Sequence, residues 1–414
     1  MANVDAKRLP LLDALFMATS AVSATGLTVV DPGTHFTLFG QLVILVLVQI
    51  GGLGFMSMTT LLALLLGKKI SLRERLVMQE ALNKPTLSGV VSLSLQVLEI
   101  AGTIQLIGAA LLAVKFVPLF GWGKGLYYSI FHSVSAFNNA GFDLFGEFRS
   151  LQGFYDSALI ISVLSILVIL GGLGFTVILD FLAKRRFATL TLHSKMVLIM
   201  TGLLLGLGFF TFLVLEYNNL ETIGRLPLKD KVLVSVFQAV VPRTAGFSVV
   251  DCRHLANSTT FFLAFLMFIG ASPGSTGGGI KTTTFGALLA AAWSVVQGKD
   301  EVEILGRRLP PQIIARALAI FLMGLGILSL GIMALSITET LPFGEVFLEA
   351  TSAFSTTGLP TGRTPEISAA GKIILMVLMF VGRLGPMTAA VALAQRQRAR
   401  RKYFRYPEEK IIVG

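Results

Sequence analysis

The sequence is poor in the residues that build disulfides and soft-metal sites. Its 414 residues include a single cysteine, Cys252, and four histidines. One cysteine excludes an intrachain disulfide and a thiolate metal site, which both need at least two thiols. The histidines show no ligand spacing, because they are scattered at His35, His132, His193 and His254.

Charged residues are scarce as well. Only 14% of the residues are charged and 54% are hydrophobic, whereas a soluble protein carries about a quarter charged residues. Many apolar runs suggest membrane helices, and most of them reach the roughly 20 residues that a helix needs to cross a bilayer. They cover 38–66, 157–183, 196–215, 259–271, 317–336 and 372–395. The composition therefore predicts an all-α polytopic membrane protein, with the lipid bilayer as its surroundings.

The net charge of +11 is distributed unevenly along the chain. Lysine and arginine cluster after long apolar runs, at 68–84, 184–195, 299–316 and 396–410. The segments between them mix acids and bases. This alternation follows the positive-inside rule and puts the clusters in the cytoplasm. It disfavours nucleic acid as the partner of the positive charge, so we expect none.

Two glycine motifs recur four times in the same order, which indicates an internal repeat. A small polar loop ends at Gly26, Gly141, Gly246 and Gly358. Its first and fourth copies share the pattern Ala-Thr-Ser-Ala-x-Ser-x-Thr-Gly-Leu. Further along, a second motif follows each loop, at 51–55, 171–175, 270–274 and 382–386.

A short amphipathic stretch precedes each loop, at about 11–17, 125–137, 229–240 and 343–353. None is long enough to span a bilayer, so each must re-enter the membrane where protein or water surrounds it. The sequence therefore predicts four pseudo-symmetric helix–pore-loop–helix repeats around one central pore. We expect repeats at 1–84, 85–190, 191–305 and 306–395, followed by a basic cytoplasmic tail at 396–414.

The first repeat lacks its outer helix in this sequence, since only about ten residues precede its short helix. Residues 1–13 are polar and mixed, which does not fit a cleavable signal peptide. We expect a missing segment rather than a repeat that does without this helix.

The loops suit a cation that is stripped of its water. Rings of backbone carbonyls can replace the lost water oxygens, and glycine allows the backbone angles that point carbonyls at an axis. The preceding helices aim partly negative C-terminal ends at the centre. Asp143 is the only acid near a loop glycine, so selection by dipoles is favoured over a carboxylate ring. The predicted selectivity filter comprises Ala24, Thr25, Gly26, Leu27, Asn139, Ala140, Gly141, Phe142, Thr244, Ala245, Gly246, Phe247, Thr356, Thr357, Gly358 and Leu359.

Close helix packing is the alternative explanation for membrane glycines. It accounts better for Gly51, Gly54, Gly171 and Gly174, which the apolar pattern places inside long helices. It accounts less well for the four loop glycines, because it does not explain the short helix before each of them.

The third repeat has an interrupted inner helix at 270–284, where Pro273 and several glycines forbid a stable helix. Irregular backbone at membrane depth marks a pathway, and an intramembrane charge is usually functional. We predict a gate made of Gly274, Ser275, Thr276, Gly277, Gly278, Gly279, Lys281 and Arg383. Snorkelling of Lys281 to the interface stays an alternative. A phosphate-binding loop is disfavoured, because that motif needs lysine directly after its last glycine.

The sequence resembles the superfamily of potassium transporters that includes TrkH, KtrB and the plant HKT proteins. The resemblance rests on these loops, on the intramembrane Gly/Ser/Thr segment and on Arg383. The chain looks more like KtrB, because an N-terminal helix pair usual in TrkH is absent. The resemblance implies potassium uptake through a gated channel-like pore in a bacterial plasma membrane. In the family, a glycine in the first loop accompanies potassium preference, and Gly26 agrees with this.

The resemblance also implies partners. It predicts a homodimer with one pore per subunit, and a cytosolic regulatory ring of the KtrA or TrkA type that binds ATP, ADP or NAD. The basic clusters 299–316 and 396–405 offer docking surface, although ordinary topology-setting charge is the better explanation for any single residue. Potassium is then the transported ion at the filter, sodium can stimulate transport, and no cofactor is expected in this chain.

Two other functions remain as alternatives. A coupled carrier of potassium with a proton or sodium would need a midplane acid, for which Glu99 is the candidate. An intramembrane enzyme is disfavoured, because the sequence has no His-Glu-x-x-His motif and no paired membrane aspartates.

Overall fold

The computed structural model describes residues 3, 9–54, 90–359 and 362–385. Several segments lie outside these residues. They are the basic cluster 68–84, the tail 396–414 and the C-terminal ends of the apolar runs 38–66 and 372–395. The regular structure of the described part is helical, apart from one two-stranded antiparallel hairpin and an isolated bridge between Asn3 and Phe36.

The first two repeats occupy the N-terminal half of the described chain. Repeat 1 has a short pore helix and an inner helix, joined through one helical turn, and repeat 2 adds an outer helix in front. The elements are α1 (Leu11–Val22), α2 (Pro32–His35), α3 (Leu38–Leu53), α4 (Val90–Phe120), α5 (Trp122–Phe137), α6 (Ala158–Leu173) and α7 (Phe175–Lys184).

Repeats 3 and 4 follow the same order of outer, pore and inner helix. Their elements are α8 (Leu192–Glu216), α9 (Leu228–Val240), α10 (Asn257–Phe268), α11 (Thr282–Val296), β1 (Glu303–Ile304), β2 (Arg307–Arg308), α12 (Pro311–Thr338), α13 (Phe343–Ser355) and α14 (Ala369–Leu384). Short 3-10 turns lie at Gln152–Phe154, Phe187–Thr189, Cys252–His254 and Thr364–Glu366.

Three outer helices, α4, α8 and α12, are long and apolar enough to cross a membrane within the described part of the chain. The pair α6 and α7 provides a fourth span if the two helices are counted together. The four-repeat helical membrane architecture expected from the sequence is thus confirmed, while the limits between repeats stay a prediction.

The pore helices α1, α5, α9 and α13 match the four short stretches expected from the sequence. A proline stands directly before three of them, at Pro10, Pro227 and Pro342, where its missing N–H removes no helical hydrogen bond. Each helix buries an apolar side chain nine or ten residues before its loop glycine. These anchors are Phe16, Phe131, Phe237 and Leu348, and none is more than 1% exposed.

The inner helices correct one expectation. The run 157–183 was expected to form a single helix, but it bends by 97° between α6 and α7. The bend lies at Gly174, whose φ of 94° is left-handed, and α3 likewise ends at Gly54 with φ 84°. The placement of Gly54 and Gly174 inside long helices was therefore wrong, because a glycine in this conformation ends the helical ladder.

The interruption of the third inner helix is present as expected. Helix α10 ends at Phe268 and α11 begins at Thr282, and we call residues 269–281 the intramembrane loop. The expected loop extended to residue 284, but residues 282–284 form the first turn of α11. Phe285 N donates to Lys281 O at 3.1 Å, so the helical hydrogen bonds already enclose residues 282–284.

Candidate functional site

The four pore loops share one backbone conformation. The second residue before each loop glycine has a positive φ, and so does the glycine itself. The values are 52° and 87° at Ala24 and Gly26, 54° and 68° at Asn139 and Gly141, 68° and 72° at Thr244 and Gly246, and 52° and 78° at Thr356 and Gly358. Four identical departures from ordinary backbone in one chain indicate a shared geometric requirement.

The loops close into a ring, which we call the glycine ring (residues 25–26, 140–141, 245–246 and 357–358). Each glycine faces the carbonyl oxygen of the residue before the next glycine. A Cβ added to Gly26 would lie 2.2 Å from Ala140 O, and one on Gly358 would lie 1.8 Å from Thr25 O. The remaining contacts, 2.7 Å from Gly141 to Ala245 O and 2.6 Å from Gly246 to Thr357 O, complete the circle.

The ring is too tight for any side chain at its glycines. A contact below 3.0 Å between a Cβ and a backbone oxygen requires the backbone to shift. The residue after each glycine is buried behind the ring, since Leu27, Phe142, Phe247 and Leu359 are at most 1% exposed. The structure therefore brings all four predicted filter segments together around one axis.

The third loop departs from the other three. In the other loops the N–H of the residue before glycine donates five residues back, as from Thr25 N to Ser20 O at 2.8 Å. In loop 3 the N–H of Ala245 donates four residues back, to Val241 O at 3.0 Å. Pro242 lacks an N–H and follows the early end of α9 at Val240. Arg243 is only 5% exposed, and its carbonyl accepts the Asn139 amide at 2.9 Å.

Glycines of the inner helices pack against the carboxyl ends of the pore helices. A Cβ on Gly51 would meet Val22 O at 1.8 Å, and one on Gly382 would meet Phe354 O at 1.7 Å. Gly171 faces Phe137 O in the same way, at 1.9 Å. The helix-packing explanation holds for these glycines, and the contact fixes where each pore helix ends.

The intramembrane loop is bound along the end of α6. Thr276 N donates to Gly171 O at 3.1 Å, and Ser272 N donates to Gly172 O at 3.0 Å. In return Phe175 N donates to Gly274 O at 3.0 Å. The loop backbone thus replaces the helical partners that α6 loses where it bends.

The same loop contacts the pore loops of three repeats. The Thr276 hydroxyl donates to Asn139 Oδ1 at 2.9 Å, and Gly278 N donates to Thr356 Oγ1 at 3.0 Å. A Cβ on Gly277 would lie 2.1 Å from Thr244 Oγ1. Asn139, Thr244 and Thr356 are the left-handed residues two before the glycines, so the loop adjoins the ring itself.

Two cationic side chains, Arg383 and Lys281, bond the backbone of the intramembrane loop. Arg383 donates to the carbonyls of Thr276 and Gly51, and to Gly52 O at 3.2 Å. It therefore ties the intramembrane loop to the inner helix of repeat 1. Lys281 donates from Nζ to Gly277 O at 2.7 Å, so its charge is directed back into the loop.

An amide cluster behind loop 2 was not expected from the sequence. Gln49 and Gln105 exchange two hydrogen bonds of 3.2 and 3.1 Å, and Asn138 Nδ2 donates to Gln49 Oε1 at 2.7 Å. The available signal was the presence of single amide side chains in apolar runs, which need partners within the membrane. The cluster joins repeat 1 to repeat 2.

Glu99, the candidate midplane acid of a coupled carrier, lies away from the pore loops. It lines a cavity of about 670 Å³ between α4, α6, α7 and α8. None of the cavity's lining residues belongs to the pore loops or to the intramembrane loop. The structure does not bring Glu99 into the candidate site.

Comparison with known proteins agrees with this architecture. The family model described as "TrkH: Cation transport protein" matches residues 1–402. The Ktr system potassium uptake protein B of Bacillus subtilis is 45% identical over 408 residues, which cover 99% of this chain and 91% of the relative. The potassium/sodium uptake protein NtpJ of Enterococcus hirae is 42% identical, over 97% of this chain and 90% of the relative.

A solved structure shows the same fold. The crystal structure of the potassium transporter TrkH from Vibrio parahaemolyticus superposes with a TM-score of 0.75 at 18% identity. The match covers 93% of this chain and 79% of the other. On the family model and these identities, the chain belongs to the TrkH family of cation transport proteins.

Proposed function

We propose that this chain takes up potassium ions across a bacterial plasma membrane, as the gated, channel-like pore subunit of a Ktr- or Trk-type system. The observation that carries the proposal is the closed glycine ring. Its carbonyls offer a dehydrated cation the oxygens it loses on leaving water. The family is one of cation transport proteins, so the chain is not an enzyme.

The predicted filter residues favour a monovalent cation. None of them is a carboxylate, and Asp143, two residues beyond Gly141, bonds the backbone N–H of Phe145 at 3.1 Å. The carboxyl ends of α1, α5, α9 and α13 add partial negative charge without a full one. We propose potassium as the transported ion, without any resident cofactor, and sodium stimulation stays an expectation of the resemblance.

We further propose that the intramembrane loop and Arg383 form the gate. The loop adjoins three pore loops, donates hydrogen bonds to Asn139 and Thr356 and accepts one from Arg383, and these bonds must break before it can move. Glycine at residues 274 and 277–279 lowers the backbone cost of an alternative conformation. The loop in this position is the closed arrangement.

The names of the relatives support a proposal about the partners of the pore. One relative is named as a protein of a Ktr system, and we propose that this chain also works with other components, namely a second copy of itself and a cytosolic nucleotide-binding ring. Within the described chain, the hairpin β1–β2 presents exposed Arg307 and Arg308 for such docking, with Arg308 paired to Glu301 at 2.8 Å. The second docking cluster, 396–405, lies outside the described residues.

Potassium uptake tests the proposed function. We expect the chain to restore growth at low external potassium in cells that lack their own potassium-uptake membrane subunits. We expect Glu99→Gln to take up potassium as well as the unchanged chain does, because Glu99 does not reach the ring. Absence of potassium uptake with the protein present in the membrane would refute the proposal, and proton-coupled uptake that Glu99→Gln abolishes would establish a carrier instead.

A further inference from the structure

Within the described residues, the Asn139 side chain bonds both the intramembrane loop and a second pore loop. It is fully buried, and its amide makes hydrogen bonds at both ends. Nδ2 donates to Arg243 O at 2.9 Å and to Thr244 Oγ1 at 3.2 Å. Oδ1 accepts the Thr276 hydroxyl at 2.9 Å. One planar group thus joins loop 2, loop 3 and the intramembrane loop.

The corresponding residues of the other repeats make fewer side-chain links between segments. Ala24 has no polar side-chain atom, and Thr356 bonds the intramembrane loop through a single backbone N–H. Thr244 receives the Asn139 amide instead of making a further link between repeats. Asn139 therefore joins the intramembrane loop to loop 2 and loop 3 at once, whereas Thr356 joins it to loop 4 alone.

Withdrawal of the intramembrane loop would leave Asn139 Oδ1 without its donor. A buried polar atom without a partner is unfavourable, so the amide would turn to find another one. Because the amide is planar, turning Oδ1 also moves Nδ2 away from Arg243 O and Thr244 Oγ1. The two acceptors belong to the two residues before Ala245, whose carbonyl belongs to the glycine ring. Movement of the loop and the geometry of the ring are therefore linked.

We propose that Asn139 is a positioning residue that couples the gate to the filter: docking of the intramembrane loop raises the ring's affinity for potassium, and potassium in the ring stabilises the docked loop. The two effects are reciprocal, since coupling between two sites has the same size in both directions. The proposal rests on the proposed function and adds to it a mechanism by which ion occupancy favours closure.

Thr276→Val tests the coupling, because valine keeps the shape of threonine and removes the hydroxyl that Asn139 accepts. We expect the variant to bind potassium about fivefold more weakly, the factor expected for one neutral hydrogen bond, and to pass more potassium in flux assays. Binding is measured by calorimetry on the purified full chain with potassium chloride, and with sodium chloride in parallel. Thr276→Ser keeps a hydroxyl and is expected to restore the affinity of the unchanged chain.

Thr259→Val provides the matched control. Thr259 is buried on α10, the helix that leads into the intramembrane loop, and its hydroxyl has no hydrogen-bond partner among the residues that the structure describes. We expect potassium affinity and flux to stay unchanged in this variant. A Thr276→Val protein with raised flux and unchanged potassium affinity would overturn the coupling and leave the loop as a simple latch. An unchanged chain that binds potassium no better than sodium would overturn the proposed function instead.

Discussion

Replacement of Gly26 by serine is expected to lower the ratio of potassium to sodium flux by about tenfold or more, which corresponds to a loss of about 1.4 kcal/mol in the differential binding of the two ions. Gly26 has φ 87°, and a Cβ there would lie 2.2 Å from Ala140 O. The serine must displace a ring carbonyl, so the spacing that distinguishes the two ions is lost. The measurement is uptake of each ion by cells without their own potassium-uptake systems.

The control for Gly26→Ser is Gly121→Ser. Gly121 also has a left-handed φ, of 80°, but a Cβ there would meet no atom of the described chain within 4 Å. It lies at the start of α5, away from the ring. The control carries the same backbone strain without the contact, so it is expected to keep the flux ratio. An unchanged ratio in Gly26→Ser would count against the filter assignment.

Replacement of Arg383 by glutamine is expected to raise potassium flux by roughly a hundredfold, because hydrogen bonds from charged groups contribute about 1.5–3 kcal/mol each. Arg383 donates to Thr276 O on one side and to the carbonyls of Gly51 and Gly52 on the other. Glutamine is shorter and neutral, so it cannot hold both sides at once. Removal of residues 274–279 is expected to act in the same direction.

Flux of rubidium or potassium into liposomes that contain the purified chain measures this effect directly. Arg225→Gln is the control, because Arg225 is an exposed arginine in the loop before α9. The control is expected to leave flux unchanged. If Arg383→Gln folds and yet passes potassium no faster than the unchanged chain, the intramembrane loop is not the gate.

The repeat was predictable from the sequence because each copy needs the same residue types for the same physical reason. A ring of carbonyls needs glycine where a Cβ would meet backbone, and this requirement appears four times at comparable spacing. The interruption at 269–281 was predictable for a similar reason, since Pro273 and its glycines cannot continue a membrane helix. Local chemistry determined both features.

The ends of the inner helices were not predictable in the same way. The motif Gly-Gly-Leu-Gly at 51–54 and 171–174 suits both close helix packing and a helix end. The structure uses it for both, with Gly171 against Phe137 O and Gly174 at the bend. The choice depends on the intramembrane loop, which supplies hydrogen bonds to the end of α6 from more than ninety positions away.

The left-handed conformation two residues before each loop glycine was also not predictable from local sequence. Asparagine enters this conformation more readily than most residues, so Asn139 offered a weak signal. Ala24 and Thr356 offered none, because they adopt it only where neighbouring repeats hold the chain there. The link from Asn139 to Thr276 likewise spans two repeats and has no local signature in the sequence.

The most direct test of the account compares alanine variants of the four loop glycines, Gly26, Gly141, Gly246 and Gly358, in one assay of potassium and sodium flux. The ring is closed by four contacts that each involve a different glycine. We therefore predict that every variant loses selective potassium flux, although the loops differ in sequence. A variant that remains in the membrane and passes potassium with unchanged selectivity over sodium would contradict the ring.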